Sequence, residues 1–282
     1  MPYWFMKFVN YVIAFVSTFQ LIFNVHPVDK APGEKIDTSE MSLVFADEFD
    51  GETLDTSVWG PHGRGVRRGG YWSMDLAEVR DGDLHIYTQY LEDGEFGPGW
   101  YTAGIDTRKG FMNTYGYYEC RCKLPKGVGL WSAFWLMNGN VSQLTTGDAT
   151  LGAEIDIYES PYYGQKAPRN RCVTSNIHYN GYELKTRYHN VGLWLLDNDP
   201  YENFNTYGMR WTEEGYTFYI NGVKVGFTDY GGVSTKDEYM ILSCEVDGDS
   251  AIPGFGWSGR IEDNDKSTFK ADFVVDYVRV YK

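Results

Sequence analysis

Residues 152–160 read GAEIDIYES and place three carboxylates, Glu154, Asp156 and Glu159, on one short segment. The residues between them, Ile155, Ile157 and Tyr158, are types favoured in pleated, half-buried strands. Acids this close repel one another, and the segment holds no Lys or Arg to offset them. The chemistry that suits such a cluster is hydrolysis of a glycoside with retention. One carboxylate attacks the anomeric carbon while a protonated carboxyl about 5–5.5 Å away gives its proton to the leaving oxygen. In a regular strand Glu154 and Asp156 share a face and Glu159 points to the other. One extra, bulged residue between Asp156 and Glu159 would return all three to one face. The backbone still separates Glu154 from Glu159 by roughly 13–16 Å at about 3.3 Å per residue, so the long side chains must lean together. Asp156 can then hydrogen-bond the nucleophile Glu154 and keep the acid Glu159 protonated by like-charge repulsion. Once a glycosyl-enzyme has removed the charge of Glu154, the pKa of Glu159 falls and it returns as a base for the water step. The bland alternative leaves Glu159 in solvent and the other two acids in salt bridges.

The elements that must hold this segment are strands. Of 282 residues, 17% are aromatic, with 23 Tyr, 9 Trp and 32 Gly, a mix suited to many short strands joined by tight turns. From Leu43 onward the dominant period is two. AEVRDGDLHIYT turns at Asp81-Gly82, and YTFYINGVKVGFT is a hairpin with Asn221-Gly222 at its tip. FVVDYVRVYK closes the chain as a strand apolar on both faces, and a short 3₁₀ or α turn is expected near 138–148. No helical period follows residue 40, and no repeat is found. The expectation is one all-β domain over 43–282, a two-sheet sandwich or jelly roll.

The formal charge of −14 argues against a nucleic-acid partner, which needs a basic footprint. GRGVRRGG at 63–70 is the local exception, with Arg64, Arg67 and Arg68. It reads either as a solvated loop or as a subsite. In the second case its glycines let the loop curl over a sugar, Arg67 and Arg68 offer planar donor forks, and Trp72 stacks on a ring. Residues 1–25, with Lys7 before a mostly apolar run, resemble a secretory signal or a membrane anchor, and 26–42 read as a linker. Export to the cell surface or beyond is the expectation, as a monomer. Cys120 and Cys122 lie two apart, too poorly placed to bond each other, while pairing with Cys172 or Cys244 stays open. No Cys–His spacing suggests zinc.

At this point a resemblance carries the reading further. EIDIYE is similar to the bulged E-x-D-x-x-E signature of glycoside hydrolase family 16. FADEFDGETLDTSVW resembles that family's opening strand, YGYYECRCKLPKGVGLWSAFWLM its central strands and FVVDYVRVYK its closing strand. The resemblance implies a concanavalin A-like β-jelly roll and endo-acting, retaining hydrolysis of a β-linked polysaccharide. It assigns Glu154 as nucleophile, Asp156 as assisting residue and Glu159 as acid/base, with no cofactor for catalysis. It also places Trp131 and Trp135 on the cleft floor, His178 near the acid and Trp211 at the cleft wall. A structural Ca²⁺ would be held by Glu48, the carbonyl of Gly82 and Asp276, an all-oxygen set. Core packing is the alternative for each aromatic, and a salt bridge for Asp276. DATLGAEIDIYE, RRGGYWSMDLAEV and ILSCEVDG depart from glucanase relatives in loops that would meet substrate. A β-1,3- or mixed β-1,3/1,4-glucan is therefore the first expectation. A β-galactan of agar or arabinogalactan type is the second, and a non-catalytic lectin or a transglycosylase stands behind them.

Overall fold

Period-two patterning sorts the chain into two sheets packed face to face. The computed structural model describes residues 25–139, 141, 146–182, 186–246 and 257–282. One sheet has eight strands in the order β1 (Val25–Pro27), β14 (Arg187–Leu195), β13 (Cys172–Tyr179), β12 (Glu154–Ser160), β11 (Leu130–Met137), β18 (Tyr239–Val246), β9 (Gly104–Asp106) and β3 (Gly60–Pro61). The second runs β17 (Val223–Thr228), β16 (Gly215–Ile220), β15 (Asn205–Thr212), β10 (Gly116–Lys123), β19 (Lys270–Tyr281), β7 (Asp83–Leu91), β8 (Gly99–Thr102), β5 (Gly70–Trp72) and β4 (Gly65–Arg67). β2 (Leu43–Asp47) also pairs with β19, and β6 (Ala77–Arg80) with β7. Helical pieces among the described residues are single 3₁₀ turns. Of the turn expected near 138–148, Val141 N donates to Asn138 O at 3.1 Å, and residues 140 and 142–145 lie outside the described residues.

Both expected hairpins form, and for the reason their sequences give. Asn221 and Gly222 have φ of 51° and 74°, and Asp81 and Gly82 of 56° and 87°, the paired positive values that match the twist of flanking strands. The core lies between the sheets, where Phe134, Leu136, Ile155 and Tyr158 meet Cys122, Tyr207 and Val275. The Tyr158 and Tyr207 rings are 4.2 Å apart. β19, expected to be central, pairs with β10, β7 and β2.

One expectation changes, and one open pairing is resolved. Residues 26–42 are not a free linker: β1 pairs in parallel with β14, Val28 is buried in the core, and the Ile36 amide donates to Gly222 O at 2.9 Å. Lys224 N returns a bond to Glu34 O at 2.8 Å, so the segment straps the outer strands of the two sheets together. An apolar side chain and open backbone edges decide this, not the proline and charge content that suggested a linker. All four cysteines are free and buried, Cys120 and Cys122 on β10, Cys172 on β13 and Cys244 on β18, so no disulfide forms among them. Residues 1–24 lie outside the described residues, and no helix among those described is long and apolar enough to cross a membrane.

Candidate active site

β11 alternates cleanly: Phe134 and Leu136 enter the core, while Trp131, Ala133, Trp135 and Met137 face a cleft of about 740 Å³ on the opposite side of the sheet. β12 begins the same way, with Glu154 and Asp156 toward the cleft and Ile155 toward the core. Then Ile157 and Tyr158 both join the core, and Glu159 returns to the cleft. The pairing register with β13 shifts between Asp156 and Glu159, and that with β11 between Phe134 and Trp135. This is the bulge that the spacing of the acids required, and it brings three carboxyls onto one face.

Their surroundings differ. Glu159 is 6% exposed, and burial first, then the Asp156 charge, holds its carboxyl well above the usual carboxylate range. Asp156, 3% exposed, is raised by burial and by Glu154. Glu154 is half-buried at the start of the strand, and its Oε2 accepts from the Tyr182 hydroxyl. His178 lies with Nε2 3.4 Å from Asp156 Oδ2. Donor atoms of Glu154, Asp156 and His178 fall within 4.8 Å of one another, close enough to share a cation.

Asn176 sets the direction of Glu159. Its Oδ1 accepts from the Tyr188 hydroxyl at 3.0 Å and from Asn190 Nδ2 at 2.8 Å. Its own Nδ2 is thereby aimed at Glu159 Oε2, to which it donates. With Oε2 accepting, the proton of neutral Glu159 belongs on Oε1. The site thus pairs a half-solvated carboxylate with a buried, oriented acid, the two environments that separate a nucleophile from a proton donor.

The β4–β5 hairpin reaches the same cleft. Arg67 Nε donates to Glu245 Oε1 at 2.9 Å, and Arg68 engages Glu245 Oε2. Arg67 lies over Trp72 at 4.6 Å and Arg68 over Trp131 at 4.2 Å, with Trp257 edge-on to Trp131 at 4.6 Å. Arg67, Arg68, Trp131, Trp135 and His178 therefore line the cleft together with the three acids.

Two aromatic assignments are corrected. Trp72 is 3% exposed and donates Nε1 to Cys244 O at 2.9 Å; it supports Arg67 from below and presents no face to a sugar. Trp211 is fully buried on β15 of the other sheet, with Nε1 on Ser234 O at 3.2 Å and its ring edge-on to Tyr115, so it is core and not cleft wall. The calcium set is corrected too. Glu48 gives both oxygens to Arg279, at 2.8 and 2.7 Å, and Asp276 pairs with Arg121, so neither carboxylate is free for a hard cation. Gly82 serves its turn through a positive φ.

Sequence reasoning missed Tyr182, Asn176, Glu245, Trp257 and His62, all of which line the cleft. Asn176 had a signal, since it lies two residues from His178 and so on the same strand face. Glu245 sits 178 residues from Arg67, a separation no local pattern bridges.

The family model for β-porphyranase A–D, GH16 domain, matches residues 40–282. An endo-1,3-1,4-β-glycanase, EglC, of Rhizobium meliloti is 29% identical over 182 residues, 64% of this chain and 33% of that protein. A β-glucanase of Acetivibrio thermocellus is 33% identical over 261 residues, 91% of this chain and 67% of that protein. The chain spans about a third of the length of the first curated relatives it matches. Among solved structures, the laminarinase catalytic domain of Thermotoga maritima superposes with a TM-score of 0.68 at 25% identity, over 86% of this chain and 99% of that one. Cleft, bulged acid strand and jelly-roll sheets agree with these matches: the chain belongs to glycoside hydrolase family 16.

Proposed function

We propose that this protein is a retaining endo-β-glycanase, with β-1,3- or mixed β-1,3/1,4-glucan as its substrate. One observation carries the reading: a bulged strand brings Glu154, Asp156 and Glu159 into one open cleft and gives the first and last opposite environments. Glu154 attacks the anomeric carbon while Glu159 gives its Oε1 proton to the glycosidic oxygen. Water then enters where the leaving sugar stood, Glu159 takes its proton, and the oxygen attacks the glycosyl-enzyme. Asp156 and His178 balance charge beneath the reacting bond. Two carboxyls and water suffice, so catalysis calls for no cofactor. An open groove with an aromatic floor at Trp131 and Trp135 suits internal cleavage of a chain, and a polymeric substrate suits an exported or surface-held enzyme.

A β-galactan of agar type is the second reading. Two arginines in the cleft and the porphyranase description of the matching family model favour it. Reducing-end release from laminarin, lichenan, agarose, porphyran and arabinogalactan, by wild type and Glu154→Gln, tests both readings. Release from the glucans that is lost in the variant supports the first, and release from the galactans alone supports the second. No release from any polymer would overturn the hydrolase reading.

A further inference from the structure

We propose that Glu238 is a positioning residue for the nucleophile: its buried carboxyl fixes the entry of β12 through the Ala153 amide. This rests on the reading of Glu154 as nucleophile. Glu238 lies just before β18 and is fully buried. Its backbone pairs with Asn113 in both directions at 3.1 Å, which fixes where its side chain starts. Oε1 accepts from Ala153 N at 3.2 Å. Ala153 immediately precedes the first residue of β12, so its buried N–H has this carboxyl in place of a ladder partner. Oε2 has no hydrogen-bond partner among the described residues.

The groups facing Glu238 are Tyr118 on β10, Tyr216 on β16, the adjoining Tyr239 on β18, and Glu154 itself. Among the described residues no Lys, Arg or His forms an ion pair with it. A carboxylate there would be desolvated and would face the Glu154 charge; burial, as the larger cause, pushes the Glu238 carboxyl up to about 8. Burial outweighs the hydrogen bonds from Ser234 and the Ala153 amide, which favour the ionised form, so ionisation would draw the side chain toward water against their hold and move Glu154, the next residue, away from the anomeric carbon.

The ordinary alkaline limb of such an enzyme comes from the acid Glu159, and the Asp156 carboxyl beside it is also pushed up, so the test removes both. In an Asp156→Asn/Glu159→Ala background, an aryl β-glycoside with a good leaving group needs no acid for glycosylation. There kcat/KM should be level through neutral pH and fall above about pH 8. Glu238→Ala should lower the level by about tenfold, the size of a lost buried hydrogen bond. Glu238→Gln, which keeps the acceptor and cannot ionise, should restore most of it and abolish the fall. A fall that persists in Glu238→Gln, or none in the parent, overturns the proposal. Infrared titration of Asp156→Asn/Glu159→Gln protein supplies a readout free of substrate and of the Glu238 variants: one protonated carboxyl band should vanish near pH 8. Its absence at pH 6 also overturns the proposal, whereas its presence in a protein inactive on every glycoside would count against the functional reading alone.

Discussion

Tyr182→Phe separates the two chemical steps. The Tyr182 hydroxyl donates to Glu154, whose charge is lost on attack and regained when the glycosyl-enzyme breaks down. A donor to that carboxylate therefore favours the free enzyme and the second transition state over the covalent intermediate. A hydrogen bond to a charged group is worth about 1.5–3 kcal/mol, and Tyr182 is 48% exposed, so the lower end applies. With roughly two thirds of the charge restored at the second transition state, deglycosylation should lose about 1 kcal/mol, roughly fivefold in rate. Glycosylation should slow little, because the free carboxylate loses the same stabilisation that attack would have given up. Steady-state kinetics should then show kcat and KM falling together, about fivefold each, with kcat/KM nearly unchanged. Rapid-quench mass spectrometry should show more enzyme carrying a sugar on Glu154. An equal loss of kcat and kcat/KM, with no added intermediate, would refute the reasoning and make Tyr182 a residue that merely shapes the cleft.

Other expectations follow from the same geometry. Glu159 and Asp156 both have raised folded pKa values, so their contribution to stability is complete below the unfolded value of about 4 and is lost as pH rises through the folded values. Thermal melts should accordingly fall from acid toward neutral pH, and Glu159→Gln should melt several degrees higher than wild type at pH 7 while losing activity; an unchanged melting point would contradict the burial argument. Asn176→Ala removes a bond that favours ionised Glu159, so the alkaline limb of kcat should move to higher pH as its magnitude drops. Arg67→Ala with Arg68→Ala should raise KM for the true polymer severalfold and also lower the melting temperature, because the buried Glu245 carboxylate loses both of its cationic partners. Trp211→Ala should cost about 3–5 kcal/mol of stability in denaturant titration without a selective change in KM, as a core residue does.

Local rules recovered whatever local physics decides. Alternation found the strands, Asn221-Gly222 and Asp81-Gly82 found their turns, and the parity of Glu154, Asp156 and Glu159 demanded a bulge that the register of β12 contains. Sheet membership was not local. Trp211 and Trp135 both sit on alternating strands, and only the pairing order puts one between the sheets and the other on the cleft. Charge pairing was equally hidden. The resemblance offers Glu48 and Asp276 as oxygen donors, with a salt bridge the alternative for Asp276, and nothing near them in the chain names Arg279 and Arg121 as their partners; nothing near Glu245 names the arginines of the β4–β5 hairpin. Glu238, in the polar run STKDEY, looks solvated by composition and is fully buried, because its bridge to Asn113 turns it toward the core.

The central claim is a double displacement through Glu154 with Glu159 as acid/base. The most direct measurement is the product of Glu159→Ala acting on an activated β-glycoside in the presence of azide, with the anomeric configuration read by NMR. The account predicts a β-glycosyl azide: Glu154 inverts the centre once, and azide, needing no base, inverts it again. An α-glycosyl azide would mean a single displacement and would contradict the roles assigned to the carboxylates of the bulged strand.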